Sequence, residues 1–192
     1  ADEKGPVMLK RHRGCVCGFT LVELMVTIAL LAILLALAAP SFSPWIRNAQ
    51  VRTVTDSLQG GVRLAQAEAI RRHRQVVFFL TNQAGCDATL TADAGGSAWV
   101  IRTLPLMAGD PVEAVQCGQL ADMSPNISIA GATALCFNSI GRQVANAAPS
   151  TFDVSASNAD RPLRVLVTLG GSVKLCDPAK SLSASTPEGC PT

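Results

Sequence analysis

From Phe19 to Ala39 the chain carries a single ionisable side chain, Glu23, in a run otherwise made of Phe19 and of Leu, Ile, Val, Ala, Met and Thr. A carboxylate at the centre of a bilayer costs about 2.5–3.5 kcal/mol on insertion scales, so a charge in such a run calls for a partner or a function. A backbone cut between Gly18 and Phe19 would supply the partner. The freed amine of Phe19 is a cation one helical turn from Glu23 in the same chain, and within reach of Glu23 on a neighbouring chain. Two other readings compete. Lys10, Arg11 and Arg13 form a basic n-region, and Ala36-Leu37-Ala38 reads as a small-x-small cleavage site of a secretory signal. The run is long for such a signal, however, and Glu23 would gain it nothing. A plain membrane anchor also leaves Glu23 unexplained. Cys15 and Cys17 precede the apolar run and lack apolar residues on their N-terminal side, which argues against a lipoprotein cysteine.

Other chemistry is sparse. With residues 1–18 removed one histidine remains, His73, and tyrosine is absent throughout. No Ser/His/Asp or Cys/His set can be assembled and the carboxylates are scattered, so an enzyme is not expected. Gly95-Gly96 and Gly170-Gly171 open no helix and read as turns, not phosphate loops. Cys86, Cys117, Cys136, Cys176 and Cys190 belong to 19–192, without a Cys-x-x-Cys, so no metal site and no cofactor are expected. Cys176 with Cys190 is the best disulfide pair, since the two bracket a Pro/Ser/Gly-rich tail. Closing a loop of about 15 residues contributes roughly 3 kcal/mol in the chain-entropy model. Cys86 with Cys117 is a plausible second pair, leaving Cys136 as a buried thiol, although spacing alone does not fix connectivity. The formal charge of +2 comes from residues 1–18, whose four basic and two acidic groups leave twelve of each in 19–192. Net charge therefore gives no general attraction to nucleic acid.

The elements follow from periodicity. Residues 19–45 form a hydrophobic helix that would span a membrane or line a filament core, with Pro40 and Pro44 placed to kink it. Residues 46–74 form an amphipathic continuation, since Val51, Val54, Leu58, Val62, Ala65 and Ala69 share one face. Arg52 with Asp56 and Glu68 with Arg72 are spaced to pair across a turn. Gly60 and Gly61 are the weak point of this half, at up to about 1 kcal/mol each. Residues 75–192 read as a β-rich domain with a loop-like tail from Asp177. Strands are expected over 75–81, 98–103, 127–129, 134–138, 151–154, 163–168 and 172–176. Residues 104–126 read as a loop or short helix. The result is α+β, a long N-terminal helix packed on a C-terminal antiparallel β-sheet domain. Residues 1–7 hold no initiator, so translation is expected from Met8, with 1–7 extraneous.

Gly18-Phe19-Thr20-Leu21-Val22-Glu23, behind a short basic leader and ahead of the apolar run to Pro40, resembles the type IV prepilin signature. The resemblance implies a leader over 1–18, cleavage between Gly18 and Phe19 by a prepilin peptidase, N-methylation of Phe19, and packing of the helix into a filament core. It gives Glu23 the role of an assembly charge partner for an N-terminal amine. Leu64-Ala65-Gln66-Ala67-Glu68-Ala69-Ile70-Arg71-Arg72 resembles the helix end of the GspH/FimT branch, and Phe137-Asn138-Ser139-Ile140-Gly141 its Phe-x-x-x-Gly segment. Leu175-Cys176-Asp177-Pro178 with Cys190 resembles a common C-terminal ending of that branch.

That branch implies a minor pilin of a type IV pilus acting in the filament or its tip complex. The sibling role is a type II secretion pseudopilin, and a major pilin is a further alternative. Implied partners are other major and minor pilins through the helix, the prepilin peptidase, the inner-membrane assembly platform and the inner membrane itself. The implied location is a single-pass inner-membrane protein, leader in the cytoplasm, moving to a periplasmic or surface filament of a Gram-negative bacterium. Some members bind DNA through a Gly-Arg-x-Arg motif, where this chain has Gly171-Ser172-Val173-Lys174. Lysine lacks the planar fork suited to phosphate. Arg161, Arg164 and Lys174 could still form a small DNA-binding patch, although a few charges without net excess more often mark a solvated edge.

Overall fold

The 3.6-residue period that starts at Val51 dictates a helix with one apolar face, and that helix organises everything after it. A computed structural model describes residues 18–120, 126–144 and 148–191, apart from the side chains of 38–41. Helix α1 spans Leu21–Arg72, and the chain divides into two units, Ala1–Pro40 and Ser41–Thr192. The expected leader residues Met8, Lys10, Arg11, Arg13, Cys15 and Cys17 lie outside the described residues.

In the second unit Val51, Val54, Leu58, Val62, Ala65 and Ala69 are all fully buried, the same six positions that the periodicity picks out. Both ion pairs expected along the helix form, Arg52 with Asp56 at 3.8 Å and Glu68 with Arg72 at 2.8 Å. The two glycines differ in their surroundings. The helix runs unbroken through Gly60 and Gly61, and a Cβ on Gly61 would stand 2.9 Å from Phe78 and 3.2 Å from Trp99. Gly61 is the place where two aromatic rings lie against the helix backbone, so its missing side chain serves packing.

The helix ends on a left-handed residue. His73 has φ 50°, its N–H bonds to the Ile70 carbonyl, and the Arg74 N–H bonds back to Ala69. This is a Schellman arrangement with histidine where glycine is usual. The chain then enters β1 (Val76–Thr81), followed by β2 (Ala98–Thr103), β3 (Ala114–Gln119), β4 (Ile127–Gly131) and β5 (Ala134–Phe137). After these come β6 (Gln143–Val144), β7 (Ser150–Ala156), β8 (Leu163–Val167), β9 (Val173–Ser181) and β10 (Gly189–Cys190).

Two five-stranded sheets form where one was expected, ordered β3-β2-β1-β5-β6 and β10-β9-β8-β7-β4. Pairing is antiparallel except between β9 and β10. Strand β3 lies inside the stretch read as loop or helix. Strand β9 runs on through Asp177-Pro178 to Ser181, so the tail is less loop-like than its composition suggests. The inner faces meet on the helix: Phe78 of the first sheet stacks near Trp99 and meets Phe152 of the second edge-on, each at 5.9 Å between centroids.

A three-way contact ties both sheets to the helix end. Gln66 Nε2 donates to the Gly141 carbonyl at 2.7 Å, within the Phe137–Gly141 segment. Gly171, at φ 88° in the β8–β9 turn, lies beside that same carbonyl, and a Cβ there would collide with it.

Candidate assembly site at the helix start, and the basic edge

Gly18, Phe19 and Thr20 precede the helix, all exposed, which leaves the Gly18–Phe19 bond outside any regular element. Thr20 is the N-cap. Its Oγ1 accepts the Glu23 N–H at 3.2 Å, and its carbonyl accepts the Leu24 N–H at 3.1 Å. Thr-x-x-Glu is the capping-box spacing, and satisfying one orphan N–H in this way contributes about 1 kcal/mol. Glu23 in the first turn also faces the positive end of the helix dipole. From the residues alone Thr20 is given no role; Thr20 three residues before Glu23 is the signal for this cap.

Among the described residues no cation pairs with Glu23. Phe19 is 78% exposed, and Leu21, Leu24, Met25, Ile28, Leu31 and Leu35 are exposed as well. A helix segment apolar on all sides needs an apolar surrounding, either lipid or other helices. Among the described residues no single helix is long and apolar enough to cross a membrane. Leu21–Leu37 and Phe42–Arg72 pass that test only together.

The basic candidates separate. Arg164 and Lys174 come to one face of the second sheet, away from the helix, because Leu166 stands opposite Lys174 and two residues from Arg164. Arg164 is already engaged: its Nε and Nη2 donate to the two Asp153 carboxylate oxygens at 2.5 and 2.8 Å. That bond holds the guanidinium pKa above its ordinary value. Arg161 lies outside these strands. It sits in the β7–β8 loop, where its backbone N–H and that of Asp160 donate to Asn48 Oδ1. Arg71, Arg72 and Arg74 at the helix end are likewise engaged. Glu68 accepts from both Arg71 and Arg72, Arg72 also reaches Glu113 at 3.1 Å, and Arg74 bonds the Leu104 carbonyl. The hydrogen bonds from Arg71 and then Arg72 lower the Glu68 pKa to about 2.

Cys86 is bonded to Cys117 and Cys176 to Cys190. Cys136 is a free thiol and only half-buried, on the face of β5 turned from the helix, so the expectation of full burial is corrected. Desolvation pushes its pKa up. Among the described residues no group of three or more His, Cys, Asp or Glu side chains could hold a metal ion.

A family model described as Type II transport protein GspH matches residues 54–171, and a prokaryotic N-terminal methylation motif matches residues 13–39. No curated protein matches the sequence. Among solved structures the chain is similar to the type IV minor pilin FimU of Pseudomonas aeruginosa, at 15% identity and a TM-score of 0.52, over 77% of this chain and 99% of that one. It is also similar to the minor pseudopilin EpsH from the Type 2 Secretion System of Vibrio cholerae, at 15% identity and 0.48, over 68% of this chain and 99% of that one. Escherichia coli GspH gives 12% identity and 0.46, over 68% of this chain and 89% of that one. At such identities FimU supports the fold alone, and the family assignment rests on the GspH model, which takes in the packed half of the helix and most of both sheets. With a methylation motif over residues 13–39 and a GspH domain over more than half its length, the chain belongs to the GspH family of pilin-like proteins.

Proposed function

We propose that the chain is a minor pilin of a type IV pilus, a structural subunit rather than an enzyme, anchored in the inner membrane by the 19–45 segment until it is assembled. The observation that carries this reading is a helix start apolar on every side, opened by a capped Glu23 and joined to a GspH domain. Cleavage by a prepilin peptidase at the exposed Gly18–Phe19 bond would create the Phe19 amine, the site of N-methylation. Moving the helix from lipid into a bundle of pilin helices keeps its apolar contacts, so little driving force distinguishes one register from another. A carboxylate that must find an amine does distinguish them, because leaving it unpaired in an apolar surrounding costs several kcal/mol. Glu23 on this reading aligns the subunit on its neighbours while the platform extrudes the filament. Thr20 caps the first turn, in which Glu23 sits, and follows directly on Phe19.

Glu23→Ala is expected to leave the globular unit folded while reducing incorporation into sheared filaments by at least about tenfold. Incorporation at the level of the unsubstituted chain would refute the role given to Glu23. Mass spectrometry of the native product should show an N-terminal methylated Phe19, and an intact Gly18–Phe19 bond would overturn the filament reading as a whole.

The description of the family model as a type II transport protein favours a second reading, a type II secretion pseudopilin. Deleting the chain discriminates the two: lost surface pili support the first, and lost exoprotein secretion with pili intact supports the second. A DNA-binding role draws little support from this geometry, since Asp153 already occupies the Arg164 fork and Arg161 lies on a different element.

A further inference from the structure

Alternation along β1 and β2 sends Phe78, Leu80, Trp99 and Ile101 to the helix, and Phe79, Val100 and Arg102 to the opposite face of the sheet. An outward face would normally be wet, yet Phe79 is 1% and Val100 0% exposed. The β1–β2 loop covers them. Arg102 lies 4.8 Å over the Phe79 ring, and its Nη1 donates to the carbonyls of Ala88 and Leu90 at 2.7 and 3.3 Å. Cys117, opposite Val100 on β3, is bonded to Cys86 of the loop. Phe79 and Val100 thus form a small core of their own, apart from the cluster on the helix, roofed by residues 83–92.

The roof is fastened unevenly. At its root the Asp93 N–H donates to the Leu80 carbonyl at 2.8 Å, Asn82 Nδ2 to Asp93 Oδ2 at 2.6 Å, and the Ser97 N–H to Asn82 Oδ1 at 3.0 Å. Thr91 bonds Gln83, which closes the roof on itself and does not join it to the sheet. Its tip is joined to the sheet by the Arg102 bonds and the Cys86–Cys117 bond. The two disulfides also differ in access. Cys86 is exposed and Cys117 half-buried, whereas Cys176 and Cys190 are 6% and 7% exposed. Thiol–disulfide exchange needs a thiolate to reach a sulfur from solvent, which favours the first bond over the second.

We propose that Cys86–Cys117 is a site of exchange with an external dithiol, and that opening it releases the 83–92 roof and uncovers Phe79 and Val100. One thiolate of the dithiol attacks the Cys86 sulfur, and Cys117 leaves as a thiolate and takes up a proton. The second thiolate of the dithiol then displaces Cys86, which is protonated in turn. The dithiol ends as its disulfide, and the protein gains two electrons and two protons. The Asp93–Leu80 and Asn82–Asp93 bonds are untouched, so the sheet stays intact, and the tip is left to the two Arg102 Nη1 bonds, which the segment breaks as it pivots at its root.

The test uses the oxidised full chain in detergent, with dithiothreitol as the probe, iodoacetamide trapping and hydrogen exchange. Cys86 and Cys117 should be alkylated at a dithiothreitol concentration at least about tenfold below that needed for Cys176 and Cys190. Amides of 83–92 should lose protection in step while those of β1 keep theirs. A Cys86→Ser/Cys117→Ser double variant should show the same exchange pattern without reductant. Simultaneous or reversed opening of the two disulfides would overturn the proposal, as would unchanged protection of 83–92 once Cys86 and Cys117 are alkylated.

Discussion

Gly60 and Gly61 are adjacent in one helix, share one intrinsic propensity, and should respond to alanine with opposite signs. Replacing an exposed helical glycine by alanine gains about 0.8–1 kcal/mol in propensity. At Gly60 that gain stands alone, because no atom lies within 4 Å of the added Cβ. At Gly61 the same gain meets the Phe78 ring at 2.9 Å and the Trp99 ring at 3.2 Å. Neither ring can withdraw easily, since Phe78 is held between Trp99 and Phe152 and a Cβ at Gly118 would also strike Trp99. Overpacking of this kind costs about 1–3 kcal/mol. The net expectation is a gain of about 1 kcal/mol for Gly60→Ala and a loss of up to about 2 kcal/mol for Gly61→Ala. In a domain of this size about 1 kcal/mol moves the midpoint by roughly 2–4 °C, so the two variants should separate clearly in thermal unfolding. Near-UV circular dichroism of the full chain in mild detergent would report it, with the Trp99 environment as an internal marker. If Gly61→Ala melts at or above Gly60→Ala, the account of the helix–aromatic contact is wrong.

The Glu68 carboxyl should make stability depend on acid. Its folded pKa of about 2 lies below the ordinary 4.5, so its contribution is complete above pH 4.5 and is lost as pH falls toward 2. The full shift corresponds to about 3 kcal/mol. With Arg71 63% exposed, solvent screening brings this nearer 1 kcal/mol. Glu68→Gln should therefore be less stable than the unsubstituted chain at pH 7 in denaturant unfolding, and the gap should close near pH 2. His73→Gly should stabilise by about 0.5–1 kcal/mol in the same assay, because glycine adopts the left-handed helix cap without a Cβ penalty. A destabilised His73→Gly would mean that the imidazole makes a contact worth more than the strain.

How far the fold can be read from residues depends on how strongly each segment repeats. The helical face from Val51 to Ala69 is legible because six apolar residues keep a single period over five turns. Strand β2 is legible because Ala-Trp-Val-Ile-Arg-Thr is β-branched and aromatic. Strand β3, Ala-Val-Gln-Cys-Gly-Gln, is half polar and holds a glycine, and it is a strand because Trp99 needs Gly118 opposite it and Cys117 is bonded to Cys86. Those are tertiary reasons with no local trace. The same holds for β9 beyond Cys176: Asp177-Pro178 reads as a stop, but β10 returns alongside and the Cys176–Cys190 bond holds the pair together. At the helix start the Glu23 charge is conspicuous, and the Thr20 cap beneath it becomes visible only when the three-residue spacing is read as hydrogen bonding.

Gly171 lies beside a carbonyl oxygen of Gly141, so a side chain introduced there meets main chain, and no rotamer change elsewhere can make room. Gly141 is more forgiving in space, because its own obstacle is the flexible tip of Ile70, although its φ of 77° still disfavours any other residue. The two hairpins are therefore locked together at a point where compensation by a second substitution is closed off. Variation among relatives that keep this junction should be channelled away from it and into the covalently tethered 83–92 segment, where new sequence can be tried without disturbing the helix-side interior.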